Sequence, residues 1–304
     1  MTTADIPLAI IGPTAAGKSA LAMAIAAADD RVELISADSM QVYRGMDIGT
    51  AKPTADEQGA VPHHLIDILE PWQDYTVSQF VKDVPAVTAD IRRRGKIPVM
   101  VGGTGLYVRS IVDDLEIPDQ FPDTRAELEV ESDTVALHRR LAELDPVAAE
   151  RMEPNNRRRV LRALEVTVGS GRPFSSFGPG MERYRPSRIN QIGCDRPRPS
   201  LDERIERRYQ VQIDHGFLDE VTAVAAHPNG MSKTARQALG YKELLGHIEG
   251  GQPLEMALDL AKQRTRRFAR RQQRWFRRDP RIEWFDLDDV DIDRVQERVR
   301  MLLD

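Results

Sequence analysis

"PLAIIGPTAAGKSALAMAIAAA", Pro7–Ala28, decides how the rest of the chain is read. It opens as a short apolar run, breaks at Gly12, and resumes as an alanine-rich helix former after Gly17, which predicts a strand, a loop and a helix. Inside it, Gly12, Pro13, Thr14, Ala15, Ala16, Gly17, Lys18 and Ser19 fit the pattern G-x-x-x-x-G-K-[ST] in full. The chemistry follows from the residue types. Glycines let backbone N–H groups point inward at phosphate oxygens, the helix N-terminus adds the positive end of its dipole, Lys18 supplies a full charge, and the Ser19 hydroxyl suits Mg²⁺. A loop of this kind recognises a diphosphate unit, and nothing in it requires a nucleoside. The plain structural alternative is a glycine turn ahead of a core helix.

Working outward, "RVELISADS" reads as a second buried strand and "PHHLIDIL" as a third. "TVSQFVKDVPAVTADIRRRG" opens with the capping pattern Thr76-x-x-Gln79 and continues as a helix, with a kink or a late start expected at Pro85. "KIPVMVGGTGLYVRSIV" repeats the strand, glycine turn and helix. Strands alternating with helices predict an α/β fold, a parallel sheet of the P-loop NTPase-like kind flanked by helices. From about Asp123 to Val168 only helical periodicity remains, with Val135, Leu137, Leu141 and Leu144 in one stretch and Val160, Leu161, Leu164 and Val168 in another. We therefore expect a P-loop core over 1–117 and 187–304 and an inserted all-helical subdomain over 118–186. "SRINQIGCDRP" returns to a strand, after which Ser200-x-x-Glu203 is expected to cap a helix. "LEMALDLAKQRTRRFARRQQRWFRR" predicts a long helix with Leu254, Leu258, Ala261, Thr265, Phe268, Gln272 and Trp275 on one stripe and arginine over most of the rest.

Composition limits the function classes. The 304 residues are 41% hydrophobic and 30% charged, which suits a globular protein rather than a disordered one. The single cysteine, Cys194, excludes a disulfide framework and a Cys-rich zinc module, and reads as core. His63 and His64 form only half a metal site and read as structural. The apolar run Ala20 to Ala28 is too short to cross a bilayer, and no basic segment precedes it, so no membrane association and a cytoplasmic location are expected. Net charge is −5, yet the arginines crowd Arg151 to Arg162 and Arg264 to Arg281, a distribution able to place a positive groove on a mildly acidic protein.

A second informative stretch is "SADSMQVYRGMDIGTAKPT", Ser36–Thr54. Asp38 falls just past the second strand, where open α/β sheets collect their ligands. A lone Asp there would ordinarily cap a turn. The polar run with Ser39, Gln41, Tyr43, Arg44, Thr50 and Lys52 exceeds what a cap needs.

These segments, "GPTAAGKS", "ADSMQVYRGMDIGTAKP", "PHHLID", "VGGTGLYVRS", "RRVLRALEV", "ALGYKEL" and "RRQQRWFRRD", resemble the tRNA dimethylallyltransferases in that family's order, over nearly the whole chain. The resemblance implies transfer of a dimethylallyl group from dimethylallyl diphosphate to the exocyclic amine of the adenosine immediately 3′ of the anticodon, with the loop gripping the diphosphate that leaves. It implies Asp38 as the base, with Lys18 and Mg²⁺ on Ser19 stabilising the leaving group and Thr104 near the reacting adenine. It also implies tRNA contacts at Asp38, Ser39, Met40, Gln41, Thr104 and Arg125, at Arg158, Arg159, Val160, Leu161 and Arg162, at Gln237, Gly240, Tyr241 and Lys242, and at Arg270, Arg271 and Arg274. The partners implied are a tRNA anticodon stem-loop and dimethylallyl diphosphate, bound by a monomer.

The bare residues leave other readings open. Thr104 could be a helix N-cap, Arg125 a surface ion-pair partner, the arginine runs solvated helix faces, and Trp275 core. A small-molecule kinase using the loop on ATP, prenyl transfer to a free adenine nucleotide, and a non-catalytic RNA-binding protein that senses nucleotide are the competing functions.

Overall fold

Among the described residues, six strands form one fully parallel sheet in the order β3-β2-β4-β1-β5-β6. The structure is a computed structural model and describes residues 5–178, 180–181 and 183–303. Along the chain come β1 (Leu8–Ile11), α1 (Lys18–Ala28), β2 (Val32–Ser36), α2 (Ala55–Ala60), β3 (His63–His64), α3 (Val77–Arg93), β4 (Ile97–Gly102) and α4 (Gly105–Val112). Four helices follow, α5 (Pro122–Glu129), α6 (Thr134–Leu144), α7 (Pro146–Glu150) and α8 (Arg157–Ser170). The chain then returns through β5 (Asn190–Asp195), α9 (Arg198–Asp214), α10 (Phe217–Ala225), α11 (Tyr241–Ile248), α12 (Leu254–Phe276), β6 (Ile282–Asp286) and α13 (Ile292–Leu303). Two compact units result, residues 1–112 with 186–304, and residues 113–185.

The central strand shows why the sheet must be covered on both faces. Successive side chains of a strand point to opposite sides, and in β1 all four are buried. Leu8 and Ile10 join a cluster with Leu21 and Ile25 of α1 and Val295 and Val299 of α13. Ala9 and Ile11 join the opposite cluster, with Phe80 and Val84 of α3, Val108 of α4, and Phe217, Tyr241 and Ala261 from α10, α11 and α12. Each such aliphatic side chain contributes about 1.5–3 kcal/mol by leaving water. In the second unit, Leu128, Leu137, Leu141, Ala148, Val160, Leu161 and Leu164 from α5 to α8 make a separate core.

Several local expectations are corrected. "PHHLIDIL" contributes only the two residues of β3, because Leu65 and Asp67 take positive φ of 60° and 52° and end the ladder. The α3 helix starts at Val77 behind its Thr76 capping box and continues through Pro85, so there is no late start. Ser200 lies inside α9, whose N-cap is Pro197; Pro199 sits in the first turn, where its missing N–H costs nothing. The buried stripe of α12 is Ala257, Ala261, Thr265, Ala269, Gln272 and Phe276, while Phe268 and Trp275 are half-buried. In the helical unit Val135, Leu144 and Val168 are exposed. Strand β6, in "RIEWFD", was not foreseen; its exposed Glu283 interrupts the apolar run.

Candidate active site and nucleic-acid interface

The loops that leave β2 and β4 are knitted together at the carboxyl ends of these strands. Ala37 N–H donates to Val101 O at 2.8 Å, Thr104 N–H donates to Ala37 O at 3.3 Å, and the Thr104 hydroxyl accepts Ser39 N–H at 3.2 Å. Asp38 is thereby held beside Thr104, and its Oδ1 accepts Met40 N–H at 2.8 Å, which tightens the turn. Asp38 therefore makes the Asx turn that a lone Asp would make, and it remains half-buried at the strand end.

The phosphate loop needs its first glycine for a steric reason. Gly12 has φ 144°, and a Cβ there would lie 2.1 Å from the Cys194 carbonyl oxygen on β5. Ala15 (φ 66°) and Gly17 (φ 106°) complete the turn into α1. Lys18 folds back so that its ammonium donates to Pro13 O at 2.6 Å. Burial lowers the Lys18 pKa to about 8, against the opposing pull of Cys194 and Asp38. Ser19 stands exposed in the first turn of α1.

Three arginines that the sequence reading did not single out converge on this loop. Arg208 of α9 donates to Thr14 Oγ1 at 3.1 Å, Arg204 of α9 donates to Ala15 O at 2.8 Å, and Arg196 donates to Ala16 O at 3.0 Å. Burial depresses the Arg208 pKa, and the nearby Asp38 charge partly offsets it. The signal was present in "RIERR", where Arg204 and Arg208 stand four apart on one helical face. Arg196 is paired with Asp288, so the loop's positive charge comes from Lys18, Arg204 and Arg208.

The stretch after Asp38 is braced from behind. Glu220 of α10 accepts Asp47, Ile48 and Gly49 N–H at 2.8, 2.7 and 3.1 Å, and also takes the Tyr241 hydroxyl. Gln41 accepts Ser36 Oγ at 2.9 Å and donates to the carbonyls of Thr50 and Ala51. The Gln41 side chain thus braces the loop instead of offering its amide outward, because all its hydrogen-bonding groups are occupied. Lys52 is buried, its ammonium on Tyr43 O at 2.8 Å and on Asp47 and Asp67.

Tyr241, for which the resemblance implies a tRNA contact, is fully buried, its ring packed edge-on against Phe217. Gly240 is buried beside it with φ 86°. Gln237 and Lys242 are exposed and bond to one another at 2.8 Å. Met40 packs against the core. In the helical unit, Val160 and Leu161 are core, so their side chains do not face solvent. Arg162 donates to Glu165 at 2.6 Å and to Pro118 O at 2.8 Å, and Arg125 pairs with Glu129 at 2.7 Å, the ion-pair role weighed for it. Arg158 and Arg159 are exposed, without an ion pair to any described residue.

The cations of α12, and Arg277 and Arg278 just past its end, sort by side. Lys262 and Arg266 pair with Glu206 of α9, and Arg270 pairs with Asp202 at 3.3 Å. Arg264 pairs with Glu243, and Arg277 with Asp195 at 2.6 Å. Arg267, Arg271, Arg274 and Arg278 are exposed at spacings of four, three and four, and none makes an ion pair with a described residue. Arg270 is thus an inward arginine, while Arg271 and Arg274 belong to the outer stripe. Trp275 packs on Gly105, where a Cβ would lie 2.4 Å from its ring, and lies half-buried against the core rather than within it. His64 bonds Glu33 at 2.7 Å, and Cys194 is buried, its thiol pushed up to about 12 by desolvation. No described helix is long and apolar enough to cross a membrane.

The IPP transferase family model matches residues 41–279. A tRNA dimethylallyltransferase of Carboxydothermus hydrogenoformans is 45% identical over 296 residues, 95% of this chain and 94% of that protein. The crystal structure of a tRNA isopentenylpyrophosphate transferase from Bacillus halodurans superposes with a TM-score of 0.71 at 39% identity, covering 97% of this chain and 96% of the other. A eukaryotic dimethylallyltransferase, described as acting on tRNA, gives a TM-score of 0.79 at 25% identity over 96% of this chain and 77% of its own. The resemblance carried by the motifs is therefore a family relationship: this chain belongs to the IPP transferase family.

Proposed function

We propose that this chain transfers a dimethylallyl group from dimethylallyl diphosphate to the exocyclic amine of the adenosine immediately 3′ of the anticodon in tRNA, releasing diphosphate. The observation that carries the reading is the junction of two chemistries at the carboxyl end of the sheet: Asp38 is tied through Ser39 to Thr104, and Lys18 and Arg208 at the phosphate loop lie within range of its charge. A base and a leaving-group cradle are side by side.

An adenine amine is a weak nucleophile because its lone pair is delocalised into the ring. As the C–N bond forms, the Asp38 carboxylate accepts the amine proton, a contribution of about 10²–10⁴-fold for a positioned base. Thr104, whose oxygen already accepts Ser39 N–H, has its hydroxyl proton left to hold the adenine edge. The allylic C–O bond breaks with its electron pair leaving on diphosphate, and the carbon gains cationic character. Lys18, Arg208 and the loop N–H groups meet the charge that develops on the departing oxygen.

Ser19 fits a role in holding Mg²⁺. It is an exposed hydroxyl at the start of α1, and no group of three or more His, Cys, Asp or Glu that could hold a metal occurs among the described residues. Mg²⁺ suits such a sparse donor set because it keeps several waters and takes substrate phosphate oxygens. Bound there, it would neutralise charge on the diphosphate.

Incubation with labelled dimethylallyl diphosphate and either unmodified tRNA or AMP tests the reading. Label in tRNA with diphosphate release is expected. Label only in AMP, or ATP consumption with no label transferred, overturns it.

A further inference from the structure

The buried face of α12 carries one polar side chain that spans the two halves of the proposed site. Gln272 is buried, and its Oε1 accepts the Thr14 N–H of the phosphate loop at 2.8 Å. Its Nε2 donates to Gly103 O at 2.8 Å, in the turn next to Thr104. The packing leaves no slack: a Cβ on Gly103 would lie 2.5 Å from that same nitrogen. The sequence separations are 258 and 169 residues, so neither bond is a local by-product of helix formation.

We propose that Gln272 is a positioning residue that sets the register between the diphosphate loop and the Asp38–Thr104 side of the site. Its bond to Thr14 fixes the mouth of the loop, and its bond to Gly103 fixes the turn whose next residue holds Ser39. Transfer needs the amine nitrogen and the allylic carbon about 3–3.5 Å apart and in line, and an error near 1 Å costs on the order of 10²-fold in rate. One carboxamide holding both walls removes that error. Its helix also carries Arg267, Arg271 and Arg274 on the outer face, roughly opposite Gln272 at about 100° per residue, with Arg278 just past its end. A polynucleotide engaging that stripe bears on the rod that holds the loop. This inference rests on the function proposed above.

Gln272→Met keeps length and apolar volume but makes neither hydrogen bond, and Gln272→Glu keeps an acceptor for Thr14 while setting an oxygen against Gly103 O. The full-length variants are compared with wild type by single-turnover transfer at saturating tRNA and dimethylallyl diphosphate, by the dissociation constants of both substrates, and by thermal unfolding. The expected result for Gln272→Met is a fall of about 10–10²-fold in the saturated rate, with both dissociation constants within about threefold. Gln272→Glu should show the same split if Gln272→Met unfolds early. An unchanged saturated rate, or a loss confined to substrate affinity, in whichever variant remains folded overturns the proposal. Absence of transfer by the wild-type protein in the same assay would instead refute the proposed function.

Discussion

The Thr104 hydroxyl and the Ser39 backbone N–H, 3.2 Å apart, join the ends of β4 and β2, and the carboxylate of Asp38 is held at that junction. Because the fixed element is backbone, replacing the Asp38 side chain should leave the junction standing. Asp38→Asn removes the proton acceptor at nearly constant shape, so transfer at saturating substrates should fall by about 10²–10⁴-fold with tRNA affinity kept within a few-fold. Single-turnover rates and filter binding on the same preparation check this. Near-wild-type turnover would take the base role away from Asp38.

The facial sorting of α12 makes a prediction that a simple arginine count would not. Arg270 is held to Asp202, whereas Arg267, Arg271, Arg274 and Arg278 are exposed without an ion pair to any described residue. Each backbone phosphate contact adds about 0.7–0.9 to the slope of log affinity against log salt through counterion release. Replacing Arg267, Arg271 and Arg274 together with alanine should weaken tRNA binding and flatten that slope by about 2–3. Arg270→Ala should leave the slope in place. A slope unchanged by the triple substitution would identify the stripe as a solvated helix face.

Much of this arrangement was legible, and the remainder was hidden for identifiable reasons. The loop Gly12–Ser19 announced itself because its steric and electrostatic demands are met within eight consecutive residues. Asp38 was legible from its position after a buried strand. The helical face shared by Arg204 and Arg208 was legible too, but what Arg208 and Gln272 bond was not, because those contacts lie 194 and 258 residues away and only the sheet topology creates them. Gln272 did fall on the expected buried stripe, but periodicity shows only which face a residue occupies and not what a polar group there will bond. Tyr241, Val160 and Leu161 show the reverse. Motif resemblance implies tRNA contacts for them, whereas their side chains are buried in the core.

Tyr241 gives this last point a measurement. Its hydroxyl donates to Glu220, which also accepts three backbone N–H groups from the loop after Asp38. Tyr241→Phe removes one bond to a charged acceptor, which costs about 1.5–3 kcal/mol, and leaves the ring packed on Phe217. Chemical denaturation should register that loss, while tRNA dissociation constants at a temperature well below unfolding stay within about twofold. A large loss of tRNA affinity in a fully folded variant would put the hydroxyl at the interface after all.

Lys18 sets the pH range over which the loop can work. Burial lowers its pKa from 10.5 to about 8, so the free protein holds an ammonium below that value and a neutral amine above it. The unfolded chain keeps the proton up to its ordinary pKa, so this group makes the free protein more stable as pH rises between those two values, the usual sign for a lysine penalised by burial. Diphosphate has the opposite preference. It binds the charged form better and raises the pKa of Lys18 in the complex, so its affinity should decline by up to about tenfold per pH unit above about 8. Arg208 does not share this titration, since its guanidinium stays protonated throughout. Calorimetric titration with inorganic diphosphate from about pH 7 to about pH 10 should show wild-type affinity falling relative to that of Lys18→Met above about 8, since the ionisation of diphosphate itself is common to both. A ratio of the two affinities independent of pH across that range would mean that the ammonium seen on Pro13 O does not turn towards the diphosphate.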